Sequence, residues 1–262
     1  MFHYTRVGLH TGPAILYSYF AWMRKFAKHP EKYPFDYRYK RVRKLLSRLC
    51  RGYSIILHVE GKEKLPQEPC MIVSNHLAEY DPVALIAVLD EPSTFVAKKE
   101  LEKAPFAGKV LKGIEAALID RNDLKQSLKV MMHVEDDLKK NHNKNWIIFP
   151  EGTRNKDMMK NLKEFHHGTF RPAVKAQVPI VPVAIYGTFR PVRFSPQYKK
   201  YPIFIKFLDP IYPSDYKDMD TKKIAEICQR KIEATLTYDL RMKDHLEMLK
   251  YNKKNYRFNK IK

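Results

Sequence analysis

The chain has 262 residues, with 49 lysines and arginines against 29 acids, and a formal net charge of +20. That length makes one large domain or two small ones, and 44% apolar beside 30% charged residues excludes a disordered chain. Nine scattered glycines exclude a collagen-like repeat, and neither G-x-G-x-x-G nor G-x-x-x-x-G-K-[ST] occurs, against a dinucleotide fold or a P-loop NTPase.

The excess charge points to an anionic partner: nucleic acid, a phospholipid surface or an acidic carrier protein. Residues 1–51 hold 12 basic residues and 2 acids, residues 241–262 hold 8 and 2, and the 189 between them hold 29 and 25. A nucleic-acid-binding domain more often wears its charge across one face. Basic ends around a nearly balanced body suit an anionic membrane surface, and no nucleic acid is expected. Cys50, Cys70 and Cys228 are odd in number and widely spaced, so a reducing compartment is expected rather than a disulfide framework or zinc site. No H-E-x-x-H occurs, and His166-His167 reads as a loop pair rather than a metal site; no metal is implied.

In chain order, residues 7–23 carry no charge, but the run is short of the about 20 apolar residues of a spanning helix. It lacks the basic start and small-residue cleavage site of a secretory signal. Tyr17, Tyr19, Phe20 and Trp22, followed by Arg24, Lys25 and Lys28, predict a helix at a bilayer surface. In residues 37–57, Val42, Leu45, Leu46 and Leu49 recur at helical spacing among Arg41, Arg43, Lys44, Arg48 and Arg51. Such a helix either lies in an anionic headgroup layer or packs its stripe on a core and solvates its basic face.

From Ser54 the pattern is α/β. SIILHVEG, PCMIVSNH, STFVAKK, EAALIDR, NWIIFPEG, VPIVPVAIYG and YPIFIKFLD are short apolar runs bounded by breakers. Helical stretches fall between them: one after Asp81, one over residues 122–141 with Leu124, Leu128, Met131 and Leu138 on a stripe, and one over residues 221–240 with Ile224, Ile227, Cys228, Ile232 and Leu236. Alternation of this kind predicts a single mixed sheet flanked by helices. The predicted organisation is N-terminal membrane-docking helices over 1–52, an α/β domain over 53–240 and a basic tail over 241–262.

Three polar clusters sit at strand ends, where α/β folds place ligands. In the first, Ser74 to Pro82, His76 ends a strand and Asp81-Pro82 starts a helix, Asp81 as its cap. The loop between them can fold the carboxylate onto one ring nitrogen and leave the other as a base. Alone, the pattern is more often a capping Asp beside an incidental His. The second cluster, Phe149-Pro150-Glu151-Gly152-Thr153-Arg154-Asn155, offers a glycine turn, a hydroxyl and a guanidinium suited to phosphate. The third runs from Lys98-Lys99-Glu100-Leu101 to Asp120-Arg121.

The order N-H-x-x-x-x-D, K-x-E-L…I-D-R, F-P-E-G-T-R, V-P-I-V-P-V-A-I-x-G over residues 75–187 resembles the glycerolipid acyltransferase family, specifically the 1-acylglycerol-3-phosphate acyltransferases. The resemblance implies transfer of an acyl group from acyl-CoA or acyl carrier protein to the sn-2 hydroxyl of lysophosphatidic acid. Other acceptors it leaves open are glycerol-3-phosphate and other lysophospholipids. It implies no cofactor, and a peripheral or monotopic position on the cytoplasmic face of the cell membrane. His76 would be the general base and Asp81 its orienting carboxylate. Lys98, Arg121 and Arg154 would clamp the phosphate, with Lys99 a weaker candidate. Glu151 and Gly152 would border the glycerol, and Asn75 and Thr153 would support the motifs. Phe106, Val110 and Leu111 would line an acyl tunnel or pack in the core. One position departs from the family pattern: Glu115 stands where members often carry Gly, six residues before Arg121.

Overall fold

A computed structural model of the chain describes residues 11–140, 143–155, 157, 162–193 and 200–251. The start of the uncharged run and residues 252–262 of the predicted basic tail lie outside them. All seven runs predicted as strands are strands: β1 (Ile55–Glu60), β2 (Met71–Ser74), β3 (Ser93–Lys98), β4 (Ala117–Ile119), β5 (Asn145–Ile148), β6 (Ile180–Tyr186) and β7 (Tyr201–Phe207). They form one mixed sheet in the order β1-β7-β6-β2-β5-β3-β4, parallel throughout except between β6 and β7.

The central strands are buried on both faces, which is why they read as continuous apolar runs rather than as alternations. Side chains still alternate between two cores. Ile72, Ile147, Val181, Val183 and Ile185 face one layer of helices. Met71, Val73, Trp146, Ile148, Ile180 and Ala184 face the other.

The first layer contains α1 (residues 11–28, with a π-helical turn at Tyr19–Met23), α2 (Phe35–Gly52), α3 (Asp81–Val88) and α4 (Ala107–Gly113). The second contains α5 (Leu124–Lys139), α6 (Arg171–Ala176) and α7 (Thr221–Thr235), which continues through a π-helical turn at Leu236–Leu240 into α8 (Arg241–Tyr251). The split follows from handedness. The chain steps from β2 to β3 to β4 one way along the sheet, then back to β5 and on to β6, and right-handed crossovers put the two sets of helices on opposite faces.

Two helical expectations change. The α2 stripe of Val42, Leu45, Leu46 and Leu49 is buried against the first core and α3, so this helix packs inward and does not offer that face to a bilayer. On α5 the buried stripe is Val130, Val134 and Leu138, while Leu124 and Leu128 are exposed. The edge strand β4 is three residues long and offers the first turns of α5 little to pack on. In α7 the predicted stripe is buried at Ile224, Cys228 and Ile232, and continues to Leu236. Residues 241–251, predicted as the start of a tail, are helical.

Glu115 adopts a backbone conformation that suits glycine better. Its φ of +54° lies in the left-handed region where glycine is at ease. Its carboxylate compensates by binding two buried cations: Arg38 of α2, and Lys144 at 2.8 Å. Lys144 also reaches Asp137 at 3.1 Å, and Asp137 accepts from the Trp146 indole at 2.7 Å. Burial disfavours the ionised form of Glu115, but Lys144 and Arg38 outweigh it and hold the carboxyl below its ordinary range. This network ties α2 to the sheet at the edge remote from the strand ends described next.

Candidate active site

Ligands in open α/β sheets collect at the carboxyl ends of strands, where neighbouring strands send their connections to opposite faces. In this fold β2 and β5 are such neighbours: β2 leads over the first layer to α3, and β5 leads over the second to α6. The His76 loop leaves β2 and the Phe149–Asn155 segment leaves β5 at this crevice.

Asn75 anchors the first loop. Its amide donates to the Ile185 carbonyl and accepts from the Ile185 N–H, both at 2.9 Å, so it pairs with β6 as a strand residue would. Asp81 is the first residue of α3, with Tyr80 at the cap position, one step further inside the helix than expected. Its side chain turns back into the loop. Oδ2 lies 2.6 Å from His76 Nδ1 and accepts from the Leu77 and Ala78 N–H groups at 2.6 and 2.9 Å. A carboxylate only accepts, so in the neutral ring Nδ1 carries the proton and Nε2 the lone pair. Asp81 is fully buried, while the His76 ring stacks on Phe149 with centroids 4.4 Å apart and stays partly accessible.

The second loop grips the first from both sides. Glu151 accepts the His76 N–H at 2.7 Å through Oε1 and the Lys163 N–H at 3.1 Å through Oε2. The Asn155 N–H donates to the His76 carbonyl at 2.7 Å. Glu151, expected to border the glycerol, thus has both carboxylate oxygens engaged by backbone N–H groups. It is only 2% exposed, and burial pushes its carboxyl above the ordinary range against the pull of those two N–H donors. Gly152 has φ +63°, and a Cβ there would meet the His166 ring at 3.0 Å. Thr153 is exposed on the same turn. Sequence reasoning assigns no individual role to Asn155, Phe149 or His166. For Asn155 and Phe149 the signal was their position within two residues of E-G-T-R.

The cations are spread along the strand ends. Arg154 follows β5, Lys98 ends β3, and Arg121 follows β4, so they stand one, two and three strands from β2. At about 4.8 Å per strand, that is roughly 5, 10 and 14 Å of lateral offset before side-chain reach is counted. Three of the candidates already hold carboxylates: Arg154 pairs with Glu79, Lys98 with Glu100 at 2.9 Å, and Lys99 with Asp120 at 3.6 Å. Lys98, helped by Arg121, holds the Glu100 carboxyl below its ordinary range. These pairs are exposed and cheap to open. Val110 and Leu111 are core residues of α4, and Phe106 is half-buried against the same core.

Ser74 is no nucleophile here. It is buried and donates to the Asn75 carbonyl at 3.2 Å. The three cysteines are buried too, and desolvation pushes the Cys50 and Cys228 thiols up to about 12.

A family model described as acyltransferase matches residues 56–186. The chain is 28% identical over 225 residues to the probable 1-acyl-sn-glycerol-3-phosphate acyltransferase of Mycoplasma pneumoniae, covering 81% of this chain and 83% of that protein. It is 31% identical over 191 residues to the 1-acyl-sn-glycerol-3-phosphate acyltransferase beta of Homo sapiens, covering 71% and 66%. The crystal structure of the 1-acyl-sn-glycerophosphate acyltransferase of Thermotoga maritima shares the fold, with a TM-score of 0.67 at 21% identity over 90% of this chain and 92% of that one.

Proposed function

This chain belongs to the acyltransferase family, and from that premise we propose that it moves a fatty acyl group from a thioester to the sn-2 hydroxyl of 1-acylglycerol-3-phosphate, giving phosphatidic acid. The observation that carries the reading is the His76–Asp81 pair, with Nδ1 fixed by Oδ2 and Nε2 free to accept a proton. Nε2 takes the proton of the sn-2 hydroxyl as its oxygen bonds to the thioester carbonyl carbon. The carbon–sulfur bond then breaks, and the leaving thiolate takes the proton back from the imidazolium. No acyl-enzyme is needed, because neither Ser74 nor a cysteine is available to attack. Asp81 stabilises the imidazolium while it exists.

The names of the relatives support this acceptor. So does the strand spacing. The phosphorus of the acceptor lies four bonds from the attacked hydroxyl's oxygen, which suits Arg154 one strand away, with Lys98 and Arg121 reaching in from further along the edge.

The site would work from a membrane surface, peripheral on its cytoplasmic face. Leu16, Tyr17 and Phe20 of α1 are exposed, and Arg24, Lys25 and Lys28 of the same helix line a groove with Lys109 and Lys112 of α4. Apolar side chains beside a cluster of cations suit an anionic bilayer. Among the described residues no helix is long and apolar enough to cross one.

Product analysis tests the function. Purified protein is incubated with lysophosphatidic acid in anionic liposomes and either acyl-CoA or acyl carrier protein as donor, with glycerol-3-phosphate and lysophosphatidylcholine as parallel acceptors. Phosphatidic acid from at least one donor is the expected product. Acylation of glycerol-3-phosphate alone would replace the acceptor.

A further inference from the structure

We propose that His166 is a phosphate-binding residue, its Nε2 donating to the acceptor's phosphomonoester beside Arg154. The proposal rests on the acceptor reading above. The His166-His167 pair divides in the fold. His167 turns towards α7, with Nδ1 3.3 Å from the Thr221 hydroxyl. His166 lies against the Phe149–Asn155 segment. Its N–H donates to the Pro150 carbonyl at 2.9 Å, and its carbonyl accepts from the Thr169 hydroxyl at 2.7 Å, so the backbone is pinned beside the end of β5.

The ring lies directly on Gly152, where a Cβ would come within 3.0 Å of Cδ2 and 3.1 Å of Nε2. It is exposed, and neither ring nitrogen has a hydrogen-bond partner among the described residues. Gly152 stands between Glu151, which holds the His76 backbone, and Thr153-Arg154, so an imidazole on it lies against the segment that carries Arg154.

Charge accounts for the choice of ligand. A phosphomonoester carries close to two negative charges at neutral pH, and a group four bonds from the hydroxyl beside His76 has to sit near the end of β5. Arg154 is the one clamp cation at that strand, and it is shared with Glu79. Lys98 and Arg121 stand two and three strands from β2. His166 supplies the second donor on the near side, whereas Glu151 is closed off by two backbone N–H groups.

The test is steady-state kinetics of the full chain with His166→Ala and His166→Gln, varying acceptor and donor separately. His166→Ala is expected to raise the acceptor KM about ten- to a hundred-fold, as for loss of a hydrogen bond to a charged group. It should leave kcat and the donor KM within about two-fold. His166→Gln, which keeps an N–H donor, should recover part of the loss. An unchanged acceptor KM would overturn the proposal. So would a fall in kcat at constant acceptor KM, which would place the ring at the thioester instead. Calorimetric titration of wild type and His166→Ala with sn-glycerol 3-phosphate reads the same contact without turnover: weaker binding by the variant supports it, equal binding contradicts it. If wild type binds this phosphate but does not acylate lysophosphatidic acid, the acceptor reading fails while the phosphate site stands. Far-UV circular dichroism checks that the variants remain folded.

Discussion

Asp81 concentrates three hydrogen bonds on one oxygen, while its other oxygen, Oδ1, is buried and has no hydrogen-bond partner among the described residues. The arrangement favours alignment of the His76 ring over general solvation of the charge. It separates two substitutions. Asp81→Ala removes the acceptor for two loop N–H groups and should unfold the loop, at about 1–3 kcal/mol for each group left without a partner. Asp81→Asn can keep its carbonyl oxygen at the Oδ2 position but cannot offset an imidazolium. It should retain the fold while losing kcat by about 10²-fold or more, the scale of a positioned general base. Circular dichroism and initial rates on the same samples distinguish the two. Glu151 makes a related prediction. Glu151→Ala leaves the His76 and Lys163 N–H groups without their acceptor, so kcat and stability should fall together while the acceptor KM moves by less than about three-fold. A rise in acceptor KM alone would return Glu151 to the glycerol contact expected from the motif. The His76–Asp81 contact was legible in the sequence because a strand end, five residues and a helix start fix their approach. The Glu151 contact was not, since it depends on β2 and β5 becoming neighbours through chain-distant pairing.

At the scale of elements, the sequence located all seven strands of the described residues because each is an apolar run between breakers, whatever its neighbours. Helix faces were less legible. The α2 stripe fits a bilayer or a core equally well by periodicity, and only the packing against α3 decides. The π-helical turns at Tyr19–Met23 and Leu236–Leu240 shift the register of exposed residues in a way that no fixed spacing anticipates. The Glu115 network is a tertiary device built on a position where glycine would be conformationally easier. Glu115→Gly should relieve about 1 kcal/mol of left-handed strain. It would leave Arg38 and Lys144 short of a carboxylate, a cost of about 2–3 kcal/mol after allowing for the partial exposure of Glu115. Net destabilisation is therefore expected, as a lower midpoint in urea. The pH dependence has a definite sign. A carboxyl held below its unfolded value contributes stability above that value and loses it as pH falls through the folded one. Wild type should lose stability below about pH 4.5 more steeply than Glu115→Gln, by denaturant titration at a series of pH values.

Over the whole molecule, the net charge of +20 lies mostly in the two terminal segments, outside the strand ends that hold the candidate site. The first of those segments combines exposed Leu16, Tyr17 and Phe20 with the cationic groove between α1 and α4. If this surface docks on lipid, replacing the three apolar residues by serine should cut co-sedimentation with anionic vesicles. Binding of wild type should weaken as salt screens the lysines and arginines. Binding unchanged by both treatments would remove α1 from the membrane contact. What the sequence could not supply at this scale is the order of cations along the sheet edge. That order follows from β5 inserting between β2 and β3, and it separates Arg154 from Lys98 and Arg121.

The central claim is that His76, oriented by Asp81, activates the acceptor hydroxyl for direct attack on a thioester. Its most direct test is the rate of phosphatidic acid formation by His76→Ala against wild type, on lysophosphatidic acid in anionic liposomes, with the variant's fold verified. The account predicts a loss of about 10²–10⁴-fold in kcat. A folded variant that keeps more than a few per cent of the wild-type rate would contradict it.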